Sequence, residues 1–142
     1  MDWKLELVIV PVSDVDRAKA FYMEQIGFGL HVDHAPNDDF RVVQLNPPGS
    51  SCSIAIGKGI NSDMVPGSLK GLHLVVTDIT AAHEELAGRG VGVGEPYHFG
   101  VDGSRTDGVE PTRADYATFM DFADPDGNMW LVQEVGHSGA AG

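Results

Sequence analysis

The chain has 142 residues, 42% of them hydrophobic and 21% charged, a composition that suits one well-buried globular core and is short for two independent domains. Nine basic against 21 acidic residues give a net charge of −12, which disfavours nucleic acid as a partner, because phosphate binding needs clustered Lys and Arg; a cationic ligand would be drawn in. No apolar run approaches the ~20 residues of a membrane-spanning helix, and Met1-Asp2-Trp3-Lys4 lacks a secretory leader's basic start and apolar stretch, so the expected address is the cytoplasm.

In chain order, an apolar run predicts a first strand over 4–12, followed by a helix over 14–26. Asp14 stands where a helix N-cap belongs, Val15, Ala18, Phe21 and Tyr22 recur at helical spacing, and Gly27 suits the left-handed residue that ends a helix. Strands follow over 29–35, 40–46 and 51–58, the last two joined by the turn sequence Asn46-Pro47-Pro48-Gly49. The single cysteine, Cys52, excludes an intramolecular disulfide and any CxxC metal site, and it reads as an inert strand thiol. Residues 60–70, with Pro66 and Gly67, form a linker.

Beyond it come a strand over 71–76, a helix over 78–89 and strands over 91–99, 116–123 and 128–135. Asp78 is again the N-cap, Ile79, Ala82 and Leu86 carry the apolar face, and Gly90 ends the helix. Asp124-Pro125-Asp126-Gly127 is the second hairpin turn, and Gly136–Gly142 a small, polar, frayed tail. Gly100–Asp115 is rich in Gly, Asp, Thr and Arg and has no apolar period; its length suits a lid or binding loop.

These elements repeat. Val12-Ser13-Asp14-Val15-Asp16-Arg17-Ala18 and Val76-Thr77-Asp78-Ile79-Thr80-Ala81-Ala82 match at an offset of 64, and the two hairpin turns at an offset of 78. The prediction is an α+β fold, a single domain of two tandem β-α-β-β-β modules (4–59 and 71–135) whose curved mixed sheets enclose a small-molecule cleft.

The stretch Val12-Ser13-Asp14-Val15-Asp16-Arg17-Ala18-Lys19-Ala20-Phe21-Tyr22 and the hairpin Phe122-Ala123-Asp124-Pro125-Asp126-Gly127-Asn128 resemble the vicinal oxygen chelate superfamily, which includes glyoxalases, bleomycin-resistance proteins and extradiol dioxygenases. With the repeat, the resemblance covers about 4–135 and implies paired modules, a cleft and frequently a homodimer. Metal-dependent members of that superfamily place His, Gln or Glu at four inward strand positions. Counting from the caps and turns gives Leu7, Ser53, Gly71 and Leu131 there, a set that holds no transition metal, so neither a metal nor another cofactor is expected. A relocated site would start from His73 and Gln133.

Strand alternation then fills the cleft with Leu7, Ile9, Val43, Leu45, Phe119 and Leu131, plus the polar residues Arg41, Ser53, His73, Asp121 and Gln133, and turns Phe122 and Trp130 to the core. His73 is the candidate general acid or base, since an imidazole titrates near ~6.5, and Asp121 would orient it. Arg41 would clamp a carboxylate or enolate oxygen, or else pair with Asp38 or Asp39; Gln133 would orient the ligand. Tyr97 and Phe99 read as core packing, with one of them a second choice as a wall of the cleft mouth. Three functions compete: a metal-independent lyase or isomerase acting on a small carbonyl or carboxylate compound, a non-catalytic binding or antibiotic-sequestering protein, and a metal enzyme with a relocated site.

Overall fold

The computed structural model describes residues 1–60 and 63–137. The chain divides into two compact units, one of Met1–Leu69 with Asp124–Asn128, the other of Lys70–Ala123 and the chain from Met129. Its α+β architecture has two mixed sheets, of four and five strands.

The first unit holds β1 (Leu7–Ile9), α1 (Val15–Ala20), β2 (Gly29–Asn37), β3 (Phe40–Asn46) and β4 (Ser53–Lys58). Its sheet runs β1-β4-β3-β2, with β1 parallel to β4 and the other pairs antiparallel. Asp14 caps α1 by accepting from Arg17 N, as its position predicts. The predicted single helix over 14–26 instead widens into a π-helical segment at Phe21–Ile26, which ends on left-handed Gly27. That segment buries Phe21 and Tyr22, and Tyr22 stacks on Phe28 with ring centroids 5.7 Å apart.

The turn Asp124–Asn128 belongs to this unit and is closed by its own polar side chains. Asp124 Oδ1 accepts from the backbone N–H groups of Asp126 and Asn128, and Tyr22 Oη donates to Asp124 Oδ2 at 2.8 Å. Asn128 is fully buried, so every polar atom needs a partner: Nδ2 donates to Pro11 O and Asp124 Oδ2, and Oδ1 accepts from Leu69 N. Gly67 sits at φ +81°, and a Cβ there would lie 2.0 Å from Asp126 O, so only glycine fits.

The second unit holds β5 (Leu72–Val76), α2 (Ile79–Gly88), β6 (Tyr97–Phe99), β7 (Arg105–Asp107), β8 (Thr118–Ala123) and β9 (Met129–Glu134). Its strand order is β5-β9-β8-β6-β7, with β5 parallel to β9. Asp78 caps α2 through Ala81 N. Phe122 and Trp130 are buried and stacked at 5.9 Å, the core pair that alternation predicts.

Two expectations change. The strand predicted over 91–99 forms only at Tyr97–Phe99, because Gly92, Gly94 and Pro96 interrupt it and Gly94 N is taken by Asp121 O. The stretch 100–115 is not one free loop, since Arg105–Asp107 pairs with β6. Glu110 accepts from Thr112 N and Ala114 N, and Gly136 N donates to Asp115 Oδ1. Of the predicted tail, 138–142 lies outside the described residues.

Candidate functional site

Each sheet has one face against its helix and one turned away from it. In the second unit Thr118, Met120, Phe122, Trp130, Val132 and Glu134 are buried on the helix side. Glu134 Oε2 accepts from Ile79 N at the start of α2, which fixes that side. Alternation therefore turns Phe119, Asp121, Leu131 and Gln133 to the other face, with His73 opposite Leu131 and Tyr97 opposite Phe119 in register.

On that face two groups form. His73 is exposed, and its Nδ1 lies 2.9 Å from Gln133 Oε1. The contact orients the ring, with donor and acceptor set by the tautomer, and leaves Nε2 as its other ring nitrogen. The second group is aromatic. Tyr97 stacks on Phe119 at 5.6 Å, Phe99 meets Phe119 edge-on at 5.6 Å, and the Arg105 guanidinium lies 3.6 Å over the Tyr97 ring. Tyr97 Oη donates to Asp121, 3.4 Å from each carboxylate oxygen. Burial raises the Tyr97 pKa, and the Asp121 charge adds to the rise, so the phenol stays protonated as a donor.

The proposed His73–Asp121 pair does not form: Leu131 stands between them in the register, His73 takes Gln133, and Asp121 takes Tyr97. In the first unit Leu7, Ile9 and Ser53 share the helix-free face, where Ser53 is buried and its hydroxyl donates to Asn46 Oδ1 at 2.6 Å.

Arg41, Val43 and Leu45 lie on the helix side instead. Val43 and Leu45 are core residues, and Arg41 pairs with Asp16 of α1 at 2.7 Å and Asp33 of β2 at 3.0 Å rather than with Asp38 or Asp39. The 78-residue offset holds on β4 and β9, but the register pairs Leu45 with Ile54 and Met120 with Val132, so it falls to 75 on β3 and β8, and the odd difference flips parity. Gln44, opposite Ala55 as Phe119 is opposite Gln133, takes the place expected for Arg41. Asp33, held by Arg41 and Lys19, has its carboxyl well below the usual range. Arg105 carried no sequence signal, lying in a stretch without apolar period. The alternation of Tyr97 and Phe99 against Phe119 did carry one.

The register also tests the metal positions. Leu7 faces Ser53 and His73 faces Leu131, so His73, not Gly71, is the counterpart of Leu7. In the first sheet Leu7 lies beside a Ser53 hydroxyl already bonded to Asn46, and in the second His73 lies beside Leu131, so neither sheet presents a transition-metal ligand set at these positions. Elsewhere, Asp78, Glu134 and His137 bring ligand atoms within 4.8 Å of one another. Arg113 occupies that cluster, donating to Glu134 Oε1 at 2.7 Å and to Oε2, so a cation is already present.

Two depressions lie elsewhere. One of about 590 Å³ borders Asp16, Arg41 and Lys58, whose charges serve internal partners, Lys58 donating to Asp38 O. The other, about 640 Å³, is lined by Thr80, His83, Glu84, Glu95, Pro96 and Val109. His83 Nε2 is 3.5 Å from Glu95 Oε1, close enough to pair if protonated but outside hydrogen-bond geometry. No helix among the described residues is long and apolar enough to cross a membrane.

Comparison with known proteins agrees with the fold. The chain is 34% identical to TnmS3, an antibiotic binding protein from Streptomyces sp. CB03234, with a TM-score of 0.72 over 94% of this chain and 96% of that one. A glyoxalase/bleomycin resistance protein/dioxygenase superfamily member from Sphaerobacter thermophilus DSM 20745 is 28% identical, with a TM-score of 0.72 over 94% and 98% of the two chains. The uncharacterized protein YetH of Bacillus subtilis (strain 168) is 26% identical over 131 residues, 89% of this chain and 94% of that protein. The profile of the Glyoxalase/Bleomycin resistance protein/Dioxygenase superfamily matches residues 4–132. The chain belongs to that superfamily.

Proposed function

We propose that this protein binds a small, flat organic molecule on the helix-free face of its second sheet. The observation that carries this reading is the aromatic group Tyr97, Phe99 and Phe119, with Phe99 53% exposed and Phe119 flanked by Gln133 in register and by Asp121 two residues along its strand. Exposed rings on a rigid sheet offer stacking area at little entropic cost, and a few polar atoms set orientation. The likeness to TnmS3, described as an antibiotic binding protein, supports a sequestering role. Leu131, on the same face of the second sheet, is the further lining in this reading. It also takes the protein to be a cytoplasmic homodimer, in keeping with the exposed Trp3 and Leu5 of the N-terminal segment. Binding is tested by incubating stoichiometric protein with an aromatic antibiotic and recovering the compound. Recovery unchanged supports sequestration, whereas multiple-turnover conversion excludes it.

One observation favours a second reading, a metal-independent lyase or isomerase. The Gln133 contact leaves His73 Nε2 as a base in the open, able to take a proton from a bound carbonyl compound and return it. His73→Ala should then abolish turnover and keep ligand affinity within a few-fold; equal loss of both would remove His73 from the acid-base role.

A further inference from the structure

The aromatic face is also an electrostatic one. Asp121 is half-buried between β9 and β6, and its only side-chain hydrogen bonds among the described residues are the two long ones from Tyr97 Oη. A carboxylate needs several short donors or a counter-ion when it leaves water, and this one has neither. Around it lie ring faces, which attract cations through their quadrupoles. The protein itself supplies an instance, because the Arg105 guanidinium rests on the Tyr97 ring. Phe99 and Phe119 carry no such cation among the described residues, and Phe99 is half-exposed. Arg105, the cation on Tyr97, makes no ion pair or hydrogen bond with Asp121 among the described residues.

We infer that the ligand is an aromatic cation: a planar ring system that stacks on Phe99 and Phe119 and carries an ammonium group placed on Asp121. Gln133, the register neighbour of Phe119, offers an amide to the same molecule. A neutral ring of the same size binds by stacking alone. An anionic one meets the Asp121 carboxylate and the chain's charge of −12. The inference rests on the binding reading above and adds the ligand's charge.

Three probes with one ring system separate the two: naphthylmethylammonium, naphthylmethanol and naphthoate, each titrated by calorimetry into the wild-type chain and into Asp121→Asn at neutral pH and low salt. The ammonium is expected to bind wild type about tenfold or more tighter than the alcohol, the size of effect a desolvated charge-assisted contact gives, with naphthoate weakest. Asp121→Asn should bring the ammonium down to the alcohol and leave the alcohol within about twofold. Equal affinity of ammonium and alcohol for wild type overturns the inference alone, as does equal weakening of both by Asp121→Asn. If none of the three binds wild type, the binding reading falls with it. Should Asp121→Asn not fold, the wild-type ranking decides, together with loss of the ammonium's advantage at high salt.

Discussion

His73 Nδ1 and Gln133 Oε1 meet at 2.9 Å on the helix-free face of the second sheet, across the parallel pair β5 and β9. The contact orients the ring without a carboxylate. A neutral amide orients an imidazole but does not stabilise its charged form as an aspartate would.

The first prediction follows from that contact. Gln133→Leu removes the acceptor while keeping an apolar strand, so it should leave stability within about 1 kcal/mol, since the pair is exposed. If the chain has turnover, it should fall with this substitution as the ring loses its orientation. Urea unfolding checks the first part, and kcat the second.

Arg113 and Glu134 form the most consequential ion pair in the second unit, because Glu134 is fully buried. Arg113→Ala leaves that carboxylate unpaired apart from Ile79 N and should cost about 3–5 kcal/mol in urea unfolding. The double variant Arg113→Ala with Glu134→Leu should recover much of the loss, since an apolar replacement removes the orphaned charge.

The same pair makes stability depend on acidity. Hydrogen bonding from Arg113 holds the Glu134 carboxyl below its ordinary value, outweighing burial, which acts the other way. A depressed carboxylate contributes stability that is fully present above its unfolded pKa and is lost as pH falls through the folded value. The stability gap between wild type and Glu134→Gln should therefore be constant near neutrality and narrow below the ordinary carboxylate range. Unfolding curves taken through that range check it; a gap unchanged down to strong acid would contradict the assignment.

Tyr22→Phe removes the hydroxyl that donates to buried Asp124. Asp124 keeps Asn128 as a donor, so the cost should be about 1–2 kcal/mol rather than a loss of fold. Gly67→Ala should cost more, since it meets Asp126 O at a backbone angle that alanine rarely adopts. Comparing the two by chemical denaturation ranks them.

Much of this architecture was legible in the chain. Asp14 and Asp78 marked both helix starts, and the paired turns marked both hairpins, because caps and tight turns are local chemistry. Side-chain direction was legible where the count crossed no connection whose length differs between the two modules. Phe119, Asp121 and Gln133 were placed by alternation from the core pair Phe122 and Trp130, and they point where alternation puts them. Arg41, Val43 and Leu45 rest on an offset carried across a turn of different length, and an odd slippage of three residues reverses them. Gly71 is counted back seven residues from Asp78, but the register residue of β5 stands only five before its cap, against seven for Leu7 before Asp14, which brings His73 into the position. Which polar groups would pair was not legible at all. It depends on distances across strands, as the separation of His73 from Asp121 by Leu131 shows.

The central claim, that a flat organic molecule binds on the helix-free face of the second sheet, is tested most directly by an NMR titration of the isotope-labelled chain with naphthylmethylammonium. The predicted result is saturable shifts concentrated in Tyr97, Phe99, Phe119, Asp121 and Gln133, abolished by Phe119→Ala. Saturable shifts that spare these residues, or that persist unchanged in Phe119→Ala, would contradict it.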